Sequence, residues 1–124
     1  MVKKILIIDD EIDFSKLVRK NLELSGKLKV EIAVNGNEGV RLAARLKPHL
    51  ILLDMLMPNM DGFQVLEKLK RNANTALIPV IVLSAKGDDT TRSQVLSKGV
   101  ELFITKPIGS GELKDKIMKV LKSI

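Results

Sequence analysis

Ile5-Leu6-Ile7-Ile8-Asp9-Asp10-Glu11 sets an unbroken apolar run directly before three acids. A run this short, β-branched in part and free of polar residues, is the pattern of a parallel strand covered on both faces, since a half-solvated strand would alternate. Two other stretches repeat it. Leu50 to Leu53 leads into Asp54, and Val80 to Leu83 leads into Ser84-Ala85. These three are expected as the central strands of one sheet. Val30 to Val34 alternates and reads as an edge strand, and Leu102 to Thr105, bounded by Gly99 and Pro107, supplies a fifth.

Between the strands lie apolar positions three or four apart. Phe14, Leu17, Val18 and Leu22 form one set, followed by Val40, Ala43 and Leu46, then Val65, Leu66 and Leu69, and near the end Leu113, Ile117, Val120 and Leu121. Each spacing predicts a helix burying one face. Val95 and Leu96 mark a further helix too short to show a period. Strict alternation of strand and helix with short loops implies an α/β fold, a doubly wound parallel sheet with right-handed crossovers. No repeat, low-complexity stretch or linker interrupts it, so residues 1–124 read as a single domain. In such folds ligands bind beyond the carboxyl ends of the strands.

Composition narrows the function classes. The 124 residues, 45% of them hydrophobic, are enough for one real core. With no cysteine there is neither a disulfide framework nor a thiolate metal site, which fits a cytoplasmic protein. The apolar run after Lys3-Lys4 is too short for a signal peptide or a membrane span. A net charge of +6 raises the question of nucleic acid, but the basic residues are interspersed with Glu and Asp, and three Phe with no Trp or Tyr offer few stacking platforms. Direct nucleic-acid binding is therefore not expected, and the charge suits an acidic protein partner instead.

The strand ends carry the chemistry. Asp9, Asp10 and Glu11 follow the first strand, Asp54 the third, Ser84-Ala85 the fourth and Lys106-Pro107 the fifth, and all converge on one edge of the sheet. Carboxylates gathered there repel one another unless a cation sits among them. Hard oxygen donors without His or Cys point to Mg²⁺, with Mn²⁺ as a substitute. Asp54 is then a carboxylate nucleophile for phosphorus, with the Lys106 ammonium and the Ser84 hydroxyl completing an electrostatic clamp on the equatorial oxygens. Taken singly, each residue has a plainer explanation: a strand-end Asp as a helix N-cap, Lys106 as a solvated loop residue, Ser84 as a turn former. The joint arrangement separates the two.

Five motifs in order, Ile5 to Glu11, Leu50 to Asp54, Met57-Pro58-Asn59-Met60-Asp61-Gly62, Pro79 to Ala85 and Lys106-Pro107, make the chain resemble the response regulator receiver domain, chemotaxis regulators included, over essentially its whole length. The resemblance implies a (βα)5 flavodoxin-like sandwich with strand order 2-1-3-4-5. It implies phosphoryl transfer to Asp54 from a histidine kinase or phosphotransfer protein, and signalling to a downstream effector protein by a chain that is monomeric before phosphorylation. The implied Mg²⁺ ligands are Asp10, Asp54 and the Leu56 carbonyl, with Asp9 through water. Ser84, Ala85 and Lys106 hold the phosphoryl group. Ser84 and Phe103 form the switch, the ring turning inward on phosphorylation, and the bond before Pro107 is cis.

Departures from the pattern fall at His49, read as a surface loop residue, at Gly39 within a helix, at Val100-Glu101 and at Ile108. Two other classes fit less well. A haloacid-dehalogenase-like phosphatase needs a second Asp two residues beyond its nucleophile, where this chain has Leu56. Flavin binding needs a hydroxyl- or glycine-rich phosphate loop, where this chain has Asp9-Asp10-Glu11. A receiver that docks its partner whether or not it is phosphorylated stays open. Ending soon after the fifth helix, the sequence is expected to be a stand-alone regulator or phosphorelay shuttle, with the receiver part of a longer regulator as the alternative. Leu56 and Lys86 should flank the path of a hydrolytic water and lengthen the life of the phosphoryl group.

Overall fold

The computed structural model describes residues 1–57, 60–85 and 89–123. Strands β1 (Lys3–Ile8), β2 (Leu28–Ala33), β3 (Leu50–Asp54), β4 (Val80–Ser84) and β5 (Leu102–Thr105) alternate with helices α1 (Ile12–Glu23), α2 (Gly36–Leu46), α3 (Gly62–Arg71), α4 (Asp89–Leu96) and α5 (Ser110–Lys122). All pairings are parallel and the order is β2-β1-β3-β4-β5. None of the described helices is long and apolar enough to cross a membrane.

Unbroken apolar runs work here because side chains alternate between two covered faces. Ile5, Ile7, Leu50, Leu52, Ile81 and Leu83 pack with Val18 and Leu22 of α1 and with Leu113, Ile117 and Leu121 of α5. Leu6, Ile8, Ile51, Leu53, Val80 and Val82 pack on the other side with Ala43 of α2, with Val65, Leu66 and Leu69 of α3 and with Val95 of α4.

Several boundaries differ from the sequence reading. β1 starts at Lys3, and β2 runs from Leu28 rather than Val30, because pairing of Lys3 with Leu28 and Lys4 with Lys29 lengthens both strands where their outward lysines stay solvated. Val34 lies beyond β2, half exposed, and donates its N–H to Glu38 Oε1 at 3.1 Å as the chain turns into α2. Leu17 is 56% exposed, because the inward stripe of α1 is Ser15, Val18 and Leu22. His49 is exposed as expected, but it is not idle. Its N–H donates to Lys4 O at 2.8 Å and its Nδ1 accepts the Lys4 N–H at 2.9 Å, so it extends the β1–β3 ladder by one rung.

Gly39 gains a reason. On propensity alone it weakens α2 by about 1 kcal/mol. A Cβ at that position, however, would lie 2.6–2.8 Å from three side-chain atoms of the fully buried Ile8. The glycine lets α2 approach β1. Gly39→Ala is therefore expected to lower stability by about 1 kcal/mol net, overpacking of roughly 1–3 kcal/mol outweighing the helical gain. Ile8→Val, which removes Cδ1, should restore part of the loss in urea unfolding of the double variant. A more stable Gly39→Ala would contradict the packing argument.

Candidate functional site

The site is assembled by three chain breaks at the carboxyl ends of β1, β3 and β5. Asp9 follows β1 and is 1% exposed; its Oδ1 accepts the Glu11 N–H at 2.9 Å, which turns the chain toward α1. Glu11 occupies the N-cap of α1 but makes no capping bond. Its carboxylate reaches across to Lys106 instead, at 2.9 Å. By contrast α2 and α3 are capped by Asn35 and by an Asp61–Gln64 capping box, so their acceptors are used locally.

Asp54 is the last residue of β3 and 3% exposed. Its Oδ1 accepts the Leu56 N–H at a long 3.4 Å and lies 3.7 Å from Lys106 Nζ. Lys106, just past β5, also donates to Asp9 Oδ2 at 3.2 Å, while its own N–H bonds Ser84 O at 2.8 Å and ties it to β4. The ring of Phe14, from α1, covers a further side of the ammonium with its centroid 4.6 Å away. The Lys106–Pro107 bond is cis.

Electrostatics follow from crowding in a dry place. Burial, and after it the charge of Asp9, pushes the Asp54 carboxyl up to about 6, against the opposing pull of Lys106 and the Leu56 N–H. Burial likewise raises Asp9, offset in part by the Glu11 N–H and by Lys106. On Lys106 burial acts downward, but the hydrogen bond to Glu11 and the charges of Asp9 and Asp54 overcome it, so the ammonium is held more firmly protonated than usual. Three carboxylates, each with an oxygen within 4.8 Å of the others, face one ammonium. When all are ionised two negative charges remain. That donor set fits a hard divalent cation, whose oxygen ligands stand about 3–4 Å apart at Mg²⁺ bond lengths near 2.1 Å.

The family model described as "Response regulator receiver domain" matches residues 5–118. The chain belongs to this family. Among relatives of this receiver, the DNA-binding dual master transcriptional regulator RpaA of Synechocystis is 40% identical over 119 residues, which are 96% of this chain and 49% of RpaA. The phosphate regulon transcriptional regulatory protein PhoB of Pseudomonas aeruginosa is 37% identical over 97% of this chain and 52% of its own length. The receiver thus spans about half the length of these relatives. In structure it is similar to a response regulator from Desulfuromonas acetoxidans, with TM-score 0.89, 31% identity and 98% of each chain covered. The flavodoxin-like (βα)5 architecture with order 2-1-3-4-5 is that of the family.

Within the receiver, Asp9, Asp54 and Lys106 come together as the sequence indicates. Ser84, the buried last residue of β4, pairs in register with Thr105, and Ala85 after it is exposed. Asp10 is placed differently from Asp9, Asp54 and Lys106. It is exposed and stands outside the carboxylate trio, although its charge still acts on Asp54. Glu11 takes its place in the trio. Its signal was in the sequence, because Glu is a poor choice where Ser, Thr, Asp or Asn usually caps a helix. Phe103 is 3% exposed and packed in the core on the α4 side, with the Arg92 guanidinium 5.0 Å over its ring. Leu56 is 53% exposed, whereas Lys86, Pro58 and Asn59 lie outside the described residues.

Proposed function

We propose that this receiver accepts a phosphoryl group on Asp54, from a histidine kinase or phosphotransfer protein, in a Mg²⁺-dependent step. The observation that carries the reading is a nearly buried carboxylate held 3.7 Å from a lysine inside a carboxylate trio. An Asp54 oxygen would form the new P–O bond as the donor's P–N bond breaks, the electron pair leaving with the imidazole nitrogen. Lys106, the Ser84 hydroxyl and the Ala85 N–H are the groups proposed to meet the phosphoryl oxygens. Asp9, Asp10, Asp54 and the Leu56 carbonyl would hold the metal, with Glu11 close enough to join or replace Asp10. Bound there, Mg²⁺ supplies positive charge against the phosphoryl oxygens.

The test uses acetyl phosphate, which needs no kinase. Acid-labile, hydroxylamine-sensitive label should appear only with Mg²⁺ or Mn²⁺ and map to Asp54 by mass spectrometry. Stoichiometric label elsewhere, or equal labelling in EDTA, would remove Asp54 from this role.

The output face is proposed to be that of α4, β5 and α5, read through Ser84 and Phe103. Of the described residues of α4 only Val95 is buried, so this helix is the least anchored of the five. The half-length match to the curated relatives favours a second reading over a stand-alone shuttle: the receiver part of a longer cytoplasmic regulator, in which contact with nucleic acid would belong to an attached domain. The sequence of the full gene decides between them.

Turnover of the label is the finer part of the proposal. Leu56 stands out from the site two residues past Asp54, and it can neither orient nor deprotonate water. Leu56→Asn should therefore shorten the life of the label by about ten-fold, equivalent to about 1.4 kcal/mol of barrier. Decay after removal of donor measures it, with Lys86→Glu as the companion variant. Unchanged decay in Leu56→Asn would free Leu56 of any kinetic role.

A further inference from the structure

We propose that Phe14 is a positioning residue for Lys106, its ring face holding the ammonium beside Asp54. The inference rests on Asp54 being the phosphoacceptor, and it concerns how the lysine is kept in place to serve it.

A lysine has a long, flexible stem and a strongly hydrated head, so a nearby carboxylate alone does not fix it. In this receiver the ammonium meets Glu11 at 2.9 Å, Asp9 at 3.2 Å and Asp54 at 3.7 Å. The shortest of these contacts is to Glu11, whose side chain is 62% exposed and so the least confined of the three carboxylates, against 1% for Asp9 and 4% for Asp54. Held by carboxylates alone, Lys106 could swing outward with Glu11. The remaining side is closed by the Phe14 ring, 4.6 Å from Nζ to centroid, within the range in which the negative face of an aromatic ring attracts a cation. The Lys106 side chain is only 13% exposed, so the attraction acts where little water competes.

The neighbourhood on that side is apolar. Phe14, Leu17, Pro107, Ile108 and Leu113 border a recess of about 500 Å³ that also reaches Lys106. Most of those side chains could fill space under the lysine stem as well as a phenyl ring does. Only Phe14 also offers a π face to the charge. Its placement in the first turn of α1 follows from the chain turn at Asp9–Glu11, so the elements that bring two carboxylates to Lys106 also bring the ring.

The experiment compares Phe14→Leu, which keeps apolar bulk and loses the π face, with Phe14→Tyr, which keeps both. Two readouts are taken, the first on the metal-free protein and the second with Mg²⁺ present. The first is the proton shift of the Lys106 ε-methylene group, moved upfield by a ring stacked beside it. The second is the rate of labelling by acetyl phosphate, a donor too small to be affected by lost docking of a kinase. Phe14→Leu should lose the upfield shift in the metal-free protein and label about three- to ten-fold more slowly, the range of one partly desolvated cation–π contact. Phe14→Tyr should keep the shift and stay within about two-fold of wild type. An upfield shift that survives in Phe14→Leu, a Leu variant as fast as wild type, or a Tyr variant as slow as Leu overturns the proposal. Absence of label on Asp54 in the wild type would overturn the phosphoacceptor reading instead, while the metal-free shift still decides whether the ring holds the lysine.

Discussion

Asp54→Asn is expected to accept no label from acetyl phosphate and, in metal-free buffer at neutral pH, to be more stable than wild type. The first half follows from chemistry: an amide is a poor nucleophile and a weaker ligand for a hard cation. The second follows from the site's electrostatics. The Asp54 carboxyl titrates near 6 in the folded chain, against 3.8 for an ordinary aspartate, because burial and the Asp9 charge disfavour its ionised form. Folding therefore favours the protonated acid. Its contribution is fully present below about pH 4 and is lost as pH rises through about 6, where the folded chain must also give up the proton. The gap between 3.8 and about 6 corresponds to about 3 kcal/mol of destabilisation above that window. Asparagine has no charge to bury, and Lys106 keeps Asp9 and Glu11 as partners. A gain of about 2 kcal/mol at pH 7.5, about 8 °C in melting temperature, should shrink to nothing by pH 4. Melting curves in EDTA at the two pH values check it. Equal stability at pH 7.5 would mean that the buried charge is relaxed by some means other than Lys106.

How far the sequence speaks depends on whether a feature is local. The three apolar runs ending in Asp9, Asp54 and Ser84 are local patterns with one good solution, and β1, β3 and β4 lie where those runs indicate. Strand ends are set by partners, which is why β1 and the edge strand β2 beside it extend to Lys3 and Leu28. The site divides in the same way. Asp9, Asp54 and Lys106 are placed by strands, and topology alone brings them together. Asp10 and Glu11 sit after β1, outside the strand, where the alternation of side chains no longer applies and cannot say which of them faces the site. Phe14 reads as a core residue from its spacing, and it does pack against the α1–α5 core; its second contact, with Lys106, needs the three-dimensional arrangement. Gly39 likewise looks like a weak helix residue until Ile8 is seen beneath it.

Among the described glycines, Gly62→Ala is expected to be the most damaging replacement. Gly62 opens α3, and its N–H donates to Met55 O at 3.1 Å, so helix start and strand exit are bonded backbone to backbone. A Cβ on Gly62 would lie 2.7 Å from the Met55 Cα and would also run into the Met55 sulfur. A flexible thioether can move aside, but a Cα cannot move without its chain. Relief therefore requires the two backbones to part, which strains the bond between them and shifts the residue next to Asp54. Overpacking of roughly 1–3 kcal/mol and a weakened hydrogen bond of about 1 kcal/mol exceed a helix-propensity gain of at most about 1 kcal/mol. Net destabilisation of about 2–3 kcal/mol in urea unfolding is expected, together with slower labelling of Asp54. Gly111→Ala in α5 is the comparison, since nothing lies within 4 Å of a Cβ there. It should be neutral or gain up to about 1 kcal/mol. Should Gly62→Ala prove as stable as Gly111→Ala, the close approach of α3 to Met55 does not constrain the turn that carries Asp54.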